Sequence, residues 1–308
     1  MTRNTPSKGM FPMDRRDFLD LAATGAGAVF VSGLIGFTTA ARAAQTPDKD
    51  FYFVQLSDTH WGYQGAANPD ATGTLRKAVA AVNALEEAPD FVIFTGDLTH
   101  TTDDRDERRR RLTEFKAIVV DLQVKQLYFM PGEHDAAIDG GEAYIELFGP
   151  THYVFDHRGV HFIVLDNVSD PGAKIGAAQL QWLRADLAPR QRDDPIVVMT
   201  HRPLFDLAPQ WDWATRDGTH AIELLMPFRH VTVFYGHIHQ ENHRMTGHIA
   251  HHSAKSLIFP LPAVGSQDKR TPLPWDAAAP YRGLGWREVE VEDHGTEFTL
   301  SEFPVVGA

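Results

Sequence analysis

The 308-residue chain contains no cysteine. That excludes a disulfide framework and a thiolate metal centre. Positive charge is also scarce: 29 Lys plus Arg stand against 41 Asp plus Glu, a formal net charge of −12. A protein that holds a nucleic-acid backbone clusters Lys and Arg. No stable nucleic-acid partner is therefore expected, although a small anionic substrate is compatible with this balance. Beyond the first 43 residues no apolar run is long enough to span a bilayer. What the chain does have is 16 histidines and many carboxylates. Any metal must be held by His, Asp, Glu or Asn.

Residues 1–43 read as an address, not as fold. Arg15 and Arg16 precede an apolar run from Leu21 to Ala40, and Ala41-Arg42-Ala43 offers a small-x-small cleavage point. The segment resembles a twin-arginine export signal. The resemblance implies a periplasmic or otherwise exported protein that passes through the twin-arginine machinery before maturation. It implies no permanent membrane span once the signal is cut. A retained amino-terminal anchor is the alternative. Residues 44–308 then form a single domain, since neither a repeat nor a long linker divides them.

One phrase recurs along that domain. A short apolar strand ends, a tight turn follows, and Asp or His comes immediately after. "FYFVQL" runs into Ser57-Asp58-Thr59-His60, "FVIF" into Gly96-Asp97, and "LYFM" into Gly132-Glu133-His134. Between them, Leu75, Ala78, Val79, Val82 and then Leu112, Phe115, Val119, Leu122 recur at helical spacing. Later strands end on His201 and on Gly236-His237-Ile238-His239, with a helix over 177–187 between the hairpin at 153–166 and the first of them. The tail reads as short antiparallel strands, "HRMTGHIA", "SLIFP" and a last hairpin turning at Asp293-His294-Gly295. The fold class is α/β, two mixed sheets face to face with helices outside. In such sheets ligands sit beyond the carboxyl ends of the strands, which gathers Asp58, His60, Asp97, Glu133, His134, His201, His237 and His239 on one rim.

Imidazole and carboxylate without thiolate suit zinc, manganese or iron. A purely magnesium site fits less well, since magnesium seldom recruits several imidazoles. The group is too large for one ion and suits a pair. Two ions can lower the pKa of a water to give a nucleophile at neutral pH and can offset charge on a phosphoryl group. Glycine before Asp97, Glu133 and His237 fits sharp turns that aim each ligand inward.

The ordered series "SDTH", "GDLTH", "GEHD", "MTHRP" and "GHIH", from Asp58 to His239, resembles the signature of the calcineurin-like metallophosphoesterase superfamily. The resemblance implies a four-layered α/β/β/α sandwich and hydrolysis of a small phosphoester, diester or monoester. It implies that Asp58, His60 and His239 hold a first metal and that Asp97 bridges. It further implies that His201 and His237 hold a second metal with the residue of the third motif, and that His134 matches a histidine that contacts substrate and can protonate the leaving group. Cyclic-nucleotide phosphodiesterase-like members share "GDLT".

Two positions depart from the pattern. The family usually has Asn where this chain has Glu133. A third carboxylate brings a metal pair closer to neutrality, which favours iron in at least one site and leaves iron, manganese and zinc as the candidate ions. The simplest reading is retained hydrolysis. The rivals are a dinuclear iron protein with a redox or metal-binding role, and a non-catalytic binding protein with a degenerate site. The purple-iron acid phosphatases of the superfamily have a tyrosine ligand where this chain has His100, so no tyrosinate colour is expected. His100 either faces the metals or caps the next segment, the latter being the plainer expectation. Thr102 or Asp103 can cap the helix that "DDRDERRRRL" begins. Trp211 and Trp213, in the loop after His201, read as exposed aromatics that could stack on a substrate or pin the loop.

Overall fold

The structure is a computed structural model that describes residues 50–306. The expected signal and its cleavage point at 41–43 lie outside these residues. Among the described residues no helix is long and apolar enough to cross a membrane.

The first sheet has the order β11 (Glu297–Pro304), β10 (Gly285–Glu292), β1 (Phe51–Leu56), β2 (Phe91–Thr95), β3 (Leu127–Met130). The second has the order β4 (Tyr153–His157), β5 (Val160–Val164), β6 (Pro195–Met199), β7 (His230–Tyr235), β9 (Ile249–Ser253), β8 (Asn242–Thr246). β1–β2–β3 and β5–β6–β7–β9 are parallel, and the edges are antiparallel. Helices α1 (Ala71–Asn83) and α2 (Arg105–Val119) cover the first sheet. Helices α5 (Ala177–Leu187) and α6 (Gly218–Leu225) cover the second. Two short helices, α3 (Glu133–Ala136) and α4 (Glu142–Phe148), follow β3.

The central strands are apolar on both faces, which is why they read as runs and not as alternation. Phe51 and Phe53 point into the layer between the sheets, whereas Val54 and Leu56 point to α1 and α2. Likewise Val197 and Met199 face the inter-sheet layer, and Ile196 and Val198 face α5 and α6. Phe53 stacks on Phe91 at 4.9 Å and meets Phe234 of the opposite sheet edge-on at 5.7 Å. These three buried layers make the four-layered sandwich that the sequence predicts.

Two local expectations need correction. "SLIFP" is not a strand; residues 254–284 are irregular. The carbonyls of Ile258 and Phe259 accept bonds from Asn68, His239 and Ser256 side chains, and the prolines at 260 and 262 have no N–H for a ladder. Helix α2 is capped by Asp104, one residue beyond the expected pair. Its Oδ1 accepts from the N–H groups of Asp106 and Glu107, both at 2.9 Å.

Candidate metal centre

The parallel strands of both sheets end on one rim, and each leaves its polar residues there. The turns are tight enough to force unusual backbone. Asp58, His60, Asp97, His237 and His239 all have positive φ, between 43° and 68°, a region that non-glycine residues seldom occupy. The preceding glycines are sterically required. A Cβ at Gly132 would lie 2.0 Å from Asp97 Oδ1, and one at Gly236 would lie 2.2 Å from Ser57 Oγ. Strain concentrated at polar strand ends marks a built site.

Two quartets result. Asp58, His60, Asp97 and His239 bring ligand atoms within 4.8 Å of one another, and so do Asp97, Glu133, His201 and His237. Asp97 belongs to both. Its Oδ2 lies 3.4 Å from His60 Nε2 and 3.4 Å from His201 Nε2. All seven sequence-derived ligand candidates are thus brought together.

The imidazoles are oriented by their outer nitrogens, as in metal sites generally. His201 Nδ1 donates to the Thr95 carbonyl at 2.7 Å, His237 Nε2 to the Asp212 carbonyl at 2.8 Å, and His239 Nδ1 to the Phe259 carbonyl at 2.8 Å. The remaining nitrogens point lone pairs at the centre. His60 Nε2 and His239 Nε2 are 3.2 Å apart. His201 Nε2 and His237 Nδ1 each lie 2.9 Å from a Glu133 oxygen, yet His201 Nε2, His237 Nδ1 and Glu133 Oε2 are buried without a hydrogen-bond partner. Imidazole and carboxylate lone pairs that converge in a buried cluster fit a cation. The electrostatics agree. Burial would raise Glu133, but His237, Arg202 and His201 hold its carboxyl well below the usual range. Burial opposes a charged His201, yet Asp97 and Glu133 push that imidazole well above its ordinary value. Without an ion, the carboxylates would draw a proton to the ring.

His134 lies on the same rim. Its backbone N–H donates to Asp97 Oδ1 at 3.0 Å, and its Nε2 is 3.9 Å from Asp97 Oδ2. Its Nδ1 accepts from the Thr101 N–H at 3.1 Å, so the neutral ring carries its proton on Nε2, facing the quartets. Asp135 staples the motif loops together. Its carboxylate accepts from the N–H groups of Leu98, Thr99 and Gly132 and from Thr99 Oγ1 at 2.8–2.9 Å. Burial and the charge of Asp97 push it up to about 7, against those donors.

His100 corrects the plainer expectation. It is no cap: its Nδ1 lies 3.2 Å from His60 Nδ1, and its ring stacks on His134 at 4.9 Å. Burial, reinforced by His134, pushes it down to about 4. A neutral His100 can accept a hydrogen bond from His60 Nδ1–H, which leaves the His60 Nε2 lone pair facing inward. Loss of such an outer partner typically costs roughly 10–100-fold in metal affinity or activity. We expect His100→Ala to lie in that range with an intact fold, measured as zinc affinity and turnover. A change in neither would exclude the role.

Trp211 and Trp213 also need correction. They are 5% and 0% exposed and meet edge-on at 5.0 Å within the core under the second sheet. Neither is available to stack on a substrate. Their apolar mass pins the loop, and Asp212 between them, at φ +64°, delivers the carbonyl that orients His237. Arg105, at the start of α2, pairs with Glu142 on the surface. Arg202, Asp212, Thr101 and Asp135 were not legible as site residues. They act through contacts that no strand-end motif encodes.

A family model described as calcineurin-like phosphoesterase matches residues 51–241. A probable cyclic nucleotide phosphodiesterase from Rhodococcus erythropolis is 32% identical over 215 residues, 64% of this chain and 68% of that protein. The serine/threonine-protein phosphatase CPPED1 of Mus musculus is 31% identical over 50% of this chain and 57% of its own length. A cAMP/cGMP dual specificity phosphodiesterase from Mycobacterium tuberculosis is 30% identical over 53% of each. The chain thus spans little more than half of the last two relatives. Among solved structures, a purple acid phosphatase from yellow lupin seeds superposes with a TM-score of 0.60 at 13% identity, over 84% of this chain and 52% of that one. A dimetal phosphatase from Danio rerio gives 0.56 at 14%, over 84% and 99%. At these identities the likeness is one of fold.

Proposed function

This chain belongs to the calcineurin-like phosphoesterase family, and on that premise we propose that it is an exported hydrolase of small phosphoesters that works with two metal ions. A cyclic phosphodiester is the substrate to test first. The observation that carries the reading is the pair of quartets joined at Asp97. When bound, the ions would lower the pKa of a water and offset charge on the phosphoryl oxygens. The chain's own residues do the rest. Asp58, His60 and His239 would hold one ion and Glu133, His201 and His237 the other, with Asp97 available to both. His134 presents its Nε2 proton toward the oxygen that leaves or gains charge. The donor set suits iron, manganese or zinc.

The cyclic-nucleotide choice draws on the names of two relatives; the phosphatase name of a third supports a monoester as second reading. The test is to purify the chain without chelators, count metals by elemental mass spectrometry and assay cyclic nucleotides, linear diesters and monoesters. About two ions per chain with diester turnover are expected. A folded chain without stoichiometric metal sinks the mechanism. A general acid contributes about 10²-fold or more, so His134→Ala should lower kcat by about that factor while retaining both ions. Ion loss in that variant would instead make His134 a ligand. Export through the twin-arginine route and cleavage after Ala43 form part of the proposal. Mass analysis of the periplasmic chain should find residue 44 at its start.

A further inference from the structure

Arg202 directly follows His201 and is buried, its side chain 6% exposed. Its Nη2 lies 3.7 Å from Glu133 Oε1. Its Nη1 bonds the Asp212 carboxylate at 2.7 Å and the Asp212 carbonyl at 2.8 Å. That same carbonyl orients His237. The backbone is fixed as well, since the Arg202 carbonyl accepts from Thr200 Oγ1 and from Asn167 Nδ2, both at 2.9 Å. One guanidinium therefore touches both the carboxylate and the loop that shape the second quartet. Its other acidic neighbour, Asp212, is half exposed and also near Arg270, so Glu133 is the buried charge that Arg202 faces.

We propose that Arg202 is a fixed counter-charge for Glu133, and that it sets the second position to take a divalent rather than a trivalent ion. Asp58, Asp97 and Glu133 bring three carboxylates to the centre. Arg202, whose other partner Asp212 is half exposed to water and shared with Arg270, offsets part of that charge, so the extra positive charge of a trivalent ion is less fully compensated. Glu133 then gives no preference for a trivalent ion at the second position. Arg202 is a positioning residue and touches no reacting atom. The inference rests on the two-metal reading.

The test loads the metal-free full chain from a mixture of Zn²⁺ and Ga³⁺, the latter redox-inert and supplied as its nitrilotriacetate complex. Bound metal is then counted by elemental mass spectrometry. Wild type should take zinc at both positions. Arg202→Gln, which removes the charge but can still bond the Asp212 carbonyl, should raise the gallium-to-zinc ratio about tenfold. Arg202→Lys should stay near wild type, and Glu133→Gln combined with Arg202→Gln should return to it. Equal ratios in the Gln and Lys variants, with two ions bound, would overturn this inference alone. Failure of wild type to hold two zinc ions would overturn the two-metal reading and this inference with it. Should Arg202→Gln alone not fold, Glu133→Gln with and without Arg202→Gln carries the test, because removing the Arg202 charge should recover about tenfold of the zinc affinity that Glu133→Gln loses. Equal zinc affinity in those two variants would also overturn it.

Discussion

Asp97→Asn should abolish hydrolysis to within about a thousandth of wild-type kcat/KM, because a shared ligand supports several kcal/mol of transition-state stabilisation. The substitution keeps the shape and one oxygen and removes only the charge. Asp97 is the one residue common to both quartets, with Oδ2 3.4 Å from both His60 Nε2 and His201 Nε2. An amide cannot offer a charged oxygen to both positions. Metal content should therefore fall below that of Asp58→Asn, whose carboxylate serves the first quartet alone. The fold should survive, since Oδ1 of the Asn can still accept the His134 N–H and a buried negative charge is gone. Asp97→Asn with both ions retained and near-normal turnover would show that the quartets are not one centre.

The seven ligand candidates were legible because each is a strand-end residue, and parallel strands place their ends together whatever joins them. The burial of both strand faces was legible too, since a run such as "FVIF" has no polar side to offer water. The tryptophans misled because a loop after a ligand suggests a pocket wall, while the edge-on contact between Trp211 and Trp213 depends on the layer beneath them. His100 was ambiguous for a related reason: its partner His60 lies 40 residues away, and only the pairing of the β1 and β2 ends brings them into contact. Arg202 stands within "MTHRP", directly after a ligand candidate. Nothing in its neighbours announces that its side chain folds back on Glu133, because that approach depends on how the loop that follows brings Asp212, ten residues on, back against it.

The largest stability effect should come from Arg287→Met. Arg287 is 0% exposed and sits in β10 directly opposite Gln55 of β1 and Glu302 of β11. Its Nε pairs with Glu302 Oε1, its Nη1 lies 3.4 Å from Gln55 Oε1, and its Nη2 donates to the Ser253 carbonyl in the other sheet at 2.6 Å. The guanidinium thus ties the two sheets through the inter-sheet layer. Methionine fills much of the volume but leaves a buried carboxylate and a buried carbonyl without their donor. Breaking a buried pair from one side costs about 3–5 kcal/mol, which for a domain of this size lowers Tm by roughly 10 °C. Pairing the change with Glu302→Gln should recover much of the loss, because no charge is then stranded. The deficit should also depend on pH. Burial already raises the Glu302 carboxyl above its ordinary value, with Arg287 opposing. Removing Arg287 raises it further. A raised folded-state value gives stability that is present below the unfolded carboxyl value and lost as pH rises through the folded one. The gap between variant and wild type should therefore narrow in acid and widen toward neutrality. Chemical denaturation at pH 5 and pH 8 reads this directly, and a gap that does not change with pH would mean that Glu302 is not the group left uncompensated.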